Sequence, residues 1–559
     1  MRQSYGAGAA MLPKGSGPAR AAVRSVRRSG IALLWSCMVL TLCLPLAACG
    51  GGGGSTGSTG GGGTGGTVTP TATITSIAIT PATPAPVAGT TVQLTATGTY
   101  SDGSHFDITQ TSSWTSGTPA VATVAPGGVV TGVAPGQAVI TATVGSVSAS
   151  VTVNVLSSQP VTLTYLYRFQ TVPGDGDQPN GPLLQASDGN FYGTTRAGGG
   201  NICLGNNSCG ILFRVTPGGA ETVLHAFGAS ATDGFAPTAP LIQGSDGALY
   251  GLTSSGGANG LGTMFRIALN GAYSIVYSFG ATATDGATPA GGLIQGSDGN
   301  FYGTTASGGA NHCPQIPLPG GNCGTIFRIT PAGAATILYS FGTSLADGVE
   351  PIGTLLQASD GNFYGTTLNG GANACSLQGA TNNCGTAFRM TPAGVVTILH
   401  SFGATQTDGI APQGALIQGS DGAFYGTTPS GGGICGFPGC GTVFRMTPAG
   451  SVTILYAFGL PDNTDGFGPT PYLIQARDGN FYGTTGSGGA RGGSLNGTVF
   501  RLLPNGVKTT LWSFGPIPTS PANPMGGLIQ GRGTDNAFYG VTNYGDSVTG
   551  ATIFRLLAP

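Results

Sequence analysis

Apolar and polar residues alternate in short runs along most of this chain, and from residue 161 onward the runs recur seven times. Each copy reads as an L-I-Q strand, an Asp-Gly turn, an aromatic F-Y-G-T-T strand, a loop, a V-F-R-I-T-P strand, a short turn and an I-L-Y-S-F strand. Four short strands per repeat predict an all-β fold, a β-propeller of seven four-stranded blades over residues 161–559. The aromatic-strand tyrosine marks the copies at Tyr192, Tyr250, Tyr302, Tyr364, Tyr425, Tyr482 and Tyr539.

The connections set the order of strands within a blade. The longest variable connection leads from an I-L-Y-S-F strand to the next L-I-Q strand, for example from Gly342 to Thr354. We expect this connection to cross from the outermost strand of one blade to the innermost strand of the next. The first strand, Thr162 to Phe169, then completes the last blade, and we predict that it pairs with Thr552 to Leu556. Such closure removes an exposed sheet edge.

This strand order also sorts the loops onto two sides of the molecule. The tight-turn side receives only the Asp-Gly hairpins and the short turns, typically Pro-Ala-Gly. The crossover side receives the long connections and the variable loops that follow the aromatic strands. Binding residues concentrate in variable loops held by a rigid scaffold, so the sequence predicts binding on the crossover side.

Different patterns precede the repeats. Residues 73–156 form short alternating strands whose turn spacing suits a β-sandwich, with Trp114 in its core. Residues 1–48 have a basic segment and an apolar run ending in Leu-Ala-Ala, as in an export signal. Residues 49–72, rich in Gly, Ser and Thr, are predicted to be a flexible tether.

The composition gives the net charge of the protein that remains after the predicted signal is removed. The six basic residues before Cys49 belong to the predicted signal, which leaves 13 Lys and Arg against 20 Asp and Glu, a net charge of −7. An acidic surface without a basic stripe argues against nucleic-acid binding.

Eight cysteines form four local pairs, each within the loop between an aromatic strand and the next F-R strand. Repeats two, six and seven lack both members, as expected if each pair is a disulfide. Zinc is the alternative, but a loop with two cysteines and no nearby histidine has too few ligands. The pairs are Cys203/Cys209, Cys313/Cys323, Cys375/Cys384 and Cys435/Cys440.

Seven aspartates lie four residues before the aromatic-strand tyrosines. The next residue is Gly six times and Asn once, which are the types that best tolerate a left-handed turn conformation. Catalytic carboxylates are few and differently tuned, so a structural role is predicted. They are Asp188, Asp246, Asp298, Asp360, Asp421, Asp478 and Asp535.

A second set of aspartates lies in the crossovers. Clustered carboxylates on the predicted binding side could hold Ca²⁺. No D-x-D-x-D-G loop is present, which favours turn capping instead, and no other metal or cofactor is predicted. The set comprises Asp175 or Asp177, Asp233, Asp285, Asp347, Asp408 and Asp465.

Two further polar positions recur. A half-buried guanidinium needs a partner, so we expect each F-R arginine to pair with a turn aspartate of its own or the adjacent blade. The L-I-Q glutamines are expected to hydrogen-bond between blades, with channel lining as the alternative. The arginines are Arg214, Arg266, Arg328, Arg389, Arg445, Arg501 and Arg555; the glutamines are Gln185, Gln243, Gln295, Gln357, Gln418, Gln475 and Gln530.

Three segments resemble known families. D-G-N-F-Y-G-T-T at 188–195, 298–305, 360–367 and 478–485, with the G-T-x-F-R strands, resembles the GloVer tandem repeats of bacterial exported proteins. That family implies export and surface anchoring but no agreed activity. Residues 73–155 resemble the bacterial immunoglobulin-like group 2 domain, through Tyr-Ser-Asp-Gly at 100–103 and Thr-Gly-Val-Ala-Pro-Gly at 131–136.

The ending Leu-Ala-Ala-Cys49 resembles a bacterial lipoprotein signal, with an ordinary secretory signal as the alternative. This resemblance implies a lipid on Cys49 and a place in the bacterial envelope, at the outer membrane or cell surface.

The sequence therefore predicts an envelope-anchored recognition or scaffold protein that binds a glycan or a protein through the crossover side. The alternatives are an enzyme acting on extracellular polysaccharide and a purely structural envelope protein. An enzyme should carry unique polar residues in one or two blades, whereas departures from this repeat are mostly cysteine loops, which favours binding.

Overall fold

The computed structural model of the chain is described over residues 72 to 558 with gaps, and only the backbone is described at 374–377 and 380–383. The predicted signal peptide, Cys49 and the tether up to residue 71 lie outside these ranges. Within them the regular elements are β-strands in one compact unit, and no helix is long and apolar enough to cross a membrane. The described ranges are 72–156, 161–170, 172–203, 209–237, 239–313, 323–344, 346–377, 380–433, 435, 439–459, 464–490, 496–515, 521–544 and 550–558.

Residues 72–156 form the N-terminal β region, three small antiparallel sheets around a shared apolar core. Trp114 packs against both clusters of this core, as predicted, and its indole nitrogen donates to the carbonyl oxygen of Thr109 at 2.9 Å. The strands are Ile74–Thr80, Thr91–Gln93, Thr95–Tyr100, His105–Asp107, Ser113–Ser116, Ala122–Val124, Val129–Gly132, Gly136–Val144 and Val147–Val155.

Residues 161–558 form the repeat region, whose seven antiparallel sheets are numbered here in the order of their aromatic strands. The L-I-Q strands are Leu184–Gln185, Ile242–Gln243, Ile294–Gln295, Leu356–Gln357, Ile417–Gln418, Ile474–Gln475 and Leu528–Gln530. The aromatic strands are Phe191–Gly198, Leu249–Gly256, Phe301–Gly308, Phe363–Thr367, Phe424–Thr428, Phe481–Ser487 and Phe538–Thr542; Asn369–Gly370 and Ser430–Gly431 continue those of sheets 4 and 5.

Two more strands complete each sheet. The F-R strands are Ile211–Val215, Thr263–Ile267, Thr325–Ile329, Thr386–Met390, Thr442–Met446, Thr498–Leu502 and Thr552–Leu557. The outer strands of sheets 1 to 6 are Glu221–Ala226, Tyr273–Ser278, Ala335–Ser340, Val396–Ser401, Val452–Ala457 and Lys508–Ser513, and that of sheet 7 is Thr162–Arg168. A small hairpin, Ala374–Leu377 with Ala380–Asn383, lies in the loop of sheet 4.

The strand register places both tight turns at the same end of each sheet. In sheet 1, Phe191 pairs with Val215, which in turn pairs with Glu221, so the Asp-Gly hairpin and the short turn are neighbours. The variable loop and the crossover lie at the other end. The predicted division into a tight-turn side and a crossover side is therefore present in each sheet.

The inner edge differs from the prediction, because the L-I-Q strand shares it with a strand formed by the end of the crossover. In sheet 2, Gly234–Pro237 and Ile242–Gln243 both pair with the aromatic strand. Among the described residues crossover strands occur in six sheets, and their sequences are too short and too rich in Gly and Pro to have predicted them. They are Gly176–Pro179, Gly234–Pro237, Gly286–Pro289, Gly348–Val349, Gly409–Ile410 and Phe467–Pro469.

The core of the repeat region lies between neighbouring sheets. Each of seven apolar clusters combines side chains of two consecutive sheets. One of them joins Phe169 and Tyr539 of sheet 7 to Phe191 and Phe213 of sheet 1. The order of neighbouring sheets thus returns to its start.

The first strand of the repeat region pairs with the last. Thr162–Arg168 runs antiparallel to Thr552–Leu557, with Thr162 opposite Leu557 and Arg168 opposite Thr552. The predicted pairing between these two strands is confirmed.

Candidate functional site

Every sheet carries the same hydrogen-bonded turn on its tight-turn side. In sheet 1, one carboxylate oxygen of Asp188 accepts the backbone amide of Asn190 at 3.1 Å, and the other accepts the hydroxyl of Tyr192 at 2.7 Å. The tyrosine-to-aspartate hydrogen bond is present in all seven sheets. These are the contacts of a turn, and they favour the structural interpretation of the seven aspartates.

The seven turns are of two kinds, distinguished by the residue two positions after the aspartate. In sheets 1, 3, 4 and 6 it is Asn, whose side-chain amide donates to the aspartate at 2.7 to 2.9 Å. In sheets 2, 5 and 7 it is Ala, and there the F-R arginine pairs with the aspartate. These ion pairs are Arg266–Asp246 at 2.8 Å, Arg445–Asp421 at 2.8 Å and Arg555–Asp535 at 3.5 Å.

The other four arginines correct the sequence prediction. Within the described part of the chain they form no ion pair, and their Nε atoms are buried without a hydrogen-bond partner. The asparagine already occupies the carboxylate oxygen that the arginine would take. Arginine–aspartate pairing is thus confirmed for three sheets and wrong for Arg214, Arg328, Arg389 and Arg501.

The L-I-Q glutamines join neighbouring sheets on the tight-turn side. Gln243 of sheet 2 accepts the backbone amide of Ser187 in sheet 1 at 2.9 Å and donates back to the Ser187 hydroxyl at 2.9 Å. An amide-to-glutamine bond recurs at all seven boundaries, including the one from Arg532 of sheet 7 to Gln185 of sheet 1 at 2.7 Å. The predicted hydrogen bonding between sheets is confirmed for all seven glutamines.

The crossover aspartates are buried. Asp285, only 6% exposed, accepts the Tyr277 hydroxyl at 2.7 Å and the Gly286 amide at 2.8 Å. Each of the set accepts a hydrogen bond from, or is ion-paired with, a tyrosine or histidine of the preceding sheet's outer strand. Among the described residues, no group of three or more potential ligands could hold a metal ion. These contacts favour turn capping for Asp175, Asp233, Asp285, Asp347, Asp408 and Asp465.

Disulfides brace the loops on the crossover side. Cys203–Cys209, Cys313–Cys323 and Cys435–Cys440 are bonded as predicted. Cys384 is also disulfide-bonded, while the side chain of its predicted partner, Cys375, lies outside those described.

Each described disulfide packs against the glycine that follows the outer strand. A Cβ atom on Gly342 would overlap the sulfur of Cys323. In sheet 2, which lacks the cysteines, Leu261 fills the same place against Gly280. The loops differ in sequence but are anchored at one equivalent point of the sheet.

A strained backbone position recurs in every crossover, and in six of the seven it ties the crossover to the loop of the preceding sheet. Each of the seven crossovers contains a recurring proline, such as Pro237 in the crossover into sheet 2, and the residue before this proline has a φ of +53° to +61°. Only one of these seven residues, Gly468, is a glycine. In six of the seven, the amide of this residue donates to a carbonyl oxygen in the loop of the preceding sheet, as from Ala236 to Cys209 at 3.1 Å. The amide of Gln178 instead donates to the carboxylate of Asp177 at 2.8 Å. Besides Ala236 and Gly468, the seven residues are Gln178, Thr288, Glu350, Ala411 and Asn523. The sequence carried no signal for this conformation apart from the recurring proline.

Three large polar residues break the repeat at the first position of the outer strand. Tyr273 stacks on His225 with ring centroids 3.7 Å apart and donates to Asp233 at 3.0 Å. Lys508 donates to the carbonyl oxygen of Asp465, and burial lowers its pKa to about 8. Both lie at boundaries between sheets, where sheets 3, 4 and 5 have Ala335, Val396 and Val452.

Glu221 is the third of these residues. Burial, with the carboxylate of Asp175 nearby, raises the pKa of Glu221 to about 7. Glu221 belongs to the boundary between sheets 7 and 1, Tyr273 to that between 1 and 2, and Lys508 to that between 5 and 6. Since the three occupy different boundaries, they do not converge on one reaction centre.

Large apolar side chains are exposed on the crossover side of three consecutive sheets. Tyr544 belongs to the loop of sheet 7, Val172 to the crossover into sheet 1, Ile202 to the loop of sheet 1 and Leu261 to the loop of sheet 2. Ile202 is the most exposed of them, at 74%. Exposed apolar residues mark interaction surfaces where they form a contiguous patch.

The tight-turn side of sheets 5 and 6 meets the N-terminal β region. Asn505, in the short turn of sheet 6, donates to the hydroxyl of Thr83. A cavity of ≈290 Å³ lies between the two regions.

Comparison with known proteins matches both regions to families. Residues 125–377 and 374–558 match the Gloeobacter/Verrucomicrobia repeat, and residues 73–155 match the bacterial Ig-like domain (group 2). Over 82 residues the chain is 43% identical to Ice-binding protein 1 of Shewanella frigidimarina, a match that covers 15% of this chain and 9% of that protein.

Similarities to solved structures are weaker. A fungal alcohol oxidase in complex with copper is 12% identical, with 72% of this chain and 76% of that chain covered and a TM-score of 0.42. A Dyadobacter fermentans protein of unknown function is 11% identical, with 71% and 99% covered and a TM-score of 0.35. At TM-scores below 0.5, neither likeness extends to fold or activity.

The repeat family and the Ig-like domain indicate an extracellular or surface protein with a binding or structural role. The chain belongs to the Gloeobacter/Verrucomicrobia repeat family, whose match covers most of its length. Both the repeat resemblance and the Ig-like resemblance predicted from the sequence are confirmed.

Proposed function

We propose that this chain is an envelope-anchored recognition or scaffold protein, in which the seven sheets form a seven-bladed β-propeller that binds a partner through its crossover side. A lipid on Cys49 would hold it to the membrane, with the Gly-rich tether as spacer. The proposal rests chiefly on the difference between the two sides of the repeat region.

The propeller is supported by the cyclic order of the sheets. Seven apolar clusters and seven glutamine hydrogen bonds link each sheet to the next and the seventh to the first. The pairing of Thr162–Arg168 with Thr552–Leu557 supplies the fourth strand of sheet 7. A radial arrangement leaves only short, protected sheet edges.

The contrast between the two sides supports binding on the crossover side. The tight turns share the tyrosine-to-aspartate hydrogen bond in all sheets, the L-I-Q glutamines link them between sheets, and part of that side meets the N-terminal β region. The crossover side presents loops that vary between sheets on a braced scaffold. Binding surfaces are commonly built in this way.

Of the two possible partners, a glycan and a protein, the exposed apolar side chains of the crossover side favour a protein. Tyr544, Val172, Ile202 and Leu261 together offer an apolar surface of the kind found in protein interfaces. The enzyme alternative is less favoured, because the residues that break the repeat lie at separate boundaries.

The binding side can be tested by proximity labelling in cells that make the full chain. We expect Ile202→Ser with Leu261→Ser to lose the specifically labelled neighbours. Val395→Ser with Val507→Ser removes exposed apolar residues from the tight-turn side and should leave labelling unchanged. Equal labelling by both double variants would overturn the crossover-side proposal.

The proposed lipid anchor at Cys49 is tested with a separate variant. Cys49→Ala should release the protein from the membrane fraction and abolish incorporation of a labelled fatty acid. Retention in the membrane without fatty acid would contradict lipidation.

A further inference from the structure

A cleft between the N-terminal β region and sheets 5 and 6 has the features of a second binding site. Its cavity of ≈290 Å³ opens on the tight-turn side. Ligand sites are frequent at the junction of two domains, and this volume lies just below their usual range of about 300 to 1,000 Å³, as suits a small ligand. We propose that the cleft binds a single neutral sugar residue, free or at the end of a glycan.

One wall offers polar groups that the protein leaves unused. Gln137 and Asn154 lie opposite each other on paired strands of the N-terminal β region, and Thr152 belongs to the second of these strands. The side chains of these three residues make no hydrogen bond within the described part of the chain. An amide group both donates and accepts, as each sugar hydroxyl does, so the wall suits a polyhydroxylated ligand.

The opposite wall carries acceptors and an apolar surface. Asp478 and Asp421 present carboxylates from the turns of sheets 6 and 5, while Leu503 and Pro504 supply apolar contacts. Alternating hydroxyl and C–H faces make a sugar ring complementary to such a mixture.

The charges of the cleft disfavour charged small ligands. Among the described residues no lysine or arginine lines it, so no cationic side chain there would neutralise a phosphate or a carboxylate. Both aspartates are already satisfied, Asp421 by Arg445 at 2.8 Å and Asp478 by Asn480 and Tyr482 at 2.8 Å each. A cationic ligand would therefore compete with existing partners, whereas a neutral hydroxyl can use the remaining lone pairs.

The site is unique although its turn is repeated. The turn of sheet 4 has the same Asn-to-Asp hydrogen bond, from Asn362 to Asp360 at 2.9 Å, but it does not line the cleft. Ala occupies the equivalent position in three sheets, so replacing either asparagine by Ala is compatible with the fold. Asn362→Ala is therefore a matched control for Asn480→Ala.

The test is a glycan array of neutral and charged oligosaccharides, probed with the full chain with its disulfides intact, followed by titration of the best ligand. We expect binding to a neutral terminal sugar, weakened at least tenfold by Gln137→Ala with Asn154→Ala and by Asn480→Ala, and unchanged by Asn362→Ala.

Absence of binding to every glycan, preference for charged glycans, or equal loss in Asn480→Ala and Asn362→Ala would overturn the cleft proposal. Glycan binding lost only in Ile202→Ser with Leu261→Ser would overturn it too and would assign the glycan to the crossover side. Partner labelling through the crossover side is a separate readout, so either proposal can fail alone.

Discussion

At each tight turn, the residue two positions after the aspartate determines which side chain pairs with its carboxylate. Asn300→Ala should remove the amide that donates to Asp298 and allow Arg328, whose Nε is buried without a partner, to form the ion pair seen in sheets 2, 5 and 7. The free energy of unfolding should change by less than about 1 kcal/mol, since a half-exposed ion pair and a surface hydrogen bond are of similar worth.

A crystal structure and urea denaturation would check this exchange. The reverse change, Ala248→Asn, should release Arg266 from Asp246. An Arg328 that stays unpaired in Asn300→Ala would show that the asparagine is not what separates the two kinds of turn.

The half-buried Glu221 makes stability depend on pH. Its pKa is about 7 in the folded chain against 4.5 for an unperturbed glutamate, so between these values the folded state binds more protons than the unfolded state. The free energy of unfolding contributed by this group therefore falls as pH rises from 4.5 to 7. Glu221→Gln should remove this loss and be more stable than the native chain at pH 8 by about 1 to 2 kcal/mol, after allowing for partial exposure.

The comparison needs urea denaturation of both proteins at pH 4.5 and pH 8. At pH 4.5 the two should be nearly equally stable. A stabilisation of the same size at both pH values would mean that the effect of Glu221→Gln does not come from titration.

The strained residue before the crossover proline gives a further test. Thr288 is β-branched and has a φ of +53°, which costs about 1 to 2 kcal/mol for a residue with a side chain. Thr288→Gly should relieve this cost and lose about 0.5 to 1 kcal/mol through greater freedom of the unfolded chain, for a small net gain. Gly468→Ala is the matched control and should destabilise, although its Cβ would meet nothing within 4 Å. Thermal denaturation of both would decide, and a stabilised Gly468→Ala would contradict the reasoning.

At the scale of elements, the short turns hold neighbouring sheets together. Gly450 and Gly271 both have φ near +90°, but a Cβ on Gly450 would overlap the carbonyl oxygen of Leu399 in the preceding sheet, whereas one on Gly271 would meet nothing. Both Ala variants bear the left-handed strain, and only Gly450→Ala adds the clash. It should be less stable than Gly271→Ala by about 1 to 3 kcal/mol in chemical denaturation. Equal losses would mean that the turn does not pack as tightly as the structure shows.

Some elements of the fold were predictable from the sequence, and others were not. Strand identity, the two sides and the pairing of the first strand with the last follow from apolar periodicity and loop length, because these are local properties repeated seven times. The crossover strand was not predictable, since its pairing depends on a left-handed residue such as Ala236 that ordinary propensities disfavour. The choice of partner by Arg328 or Arg266 was missed because it depends on competition for one oxygen.

For the whole molecule, the boundary between sheets 7 and 1 has the same aromatic packing as the boundary between sheets 3 and 4, although the chain connects the sheets differently there. Phe169 at this boundary and Phe341 between sheets 3 and 4 are both 0% exposed. Each lies edge-to-face on an F-R phenylalanine of the next sheet, with centroids 5.1 Å apart for Phe169–Phe213 and 5.3 Å for Phe341–Phe388. Judged by packing alone, Phe169 and Phe341 should therefore contribute similarly to the free energy of unfolding.

A closed ring of sheets and an open array should respond differently when Phe169 or Phe341 is replaced by Ala. Phe→Ala in a buried core costs about 3 to 5 kcal/mol. If the sheets close into a propeller, Phe169→Ala and Phe341→Ala should each lower the midpoint of one cooperative unfolding transition of the repeat region by a similar amount. In an open array each sheet depends only on its neighbours, so Phe169→Ala would instead release the terminal sheets in a separate, earlier transition. Calorimetry of the two variants distinguishes these cases, and an early transition confined to Phe169→Ala would rule out the propeller.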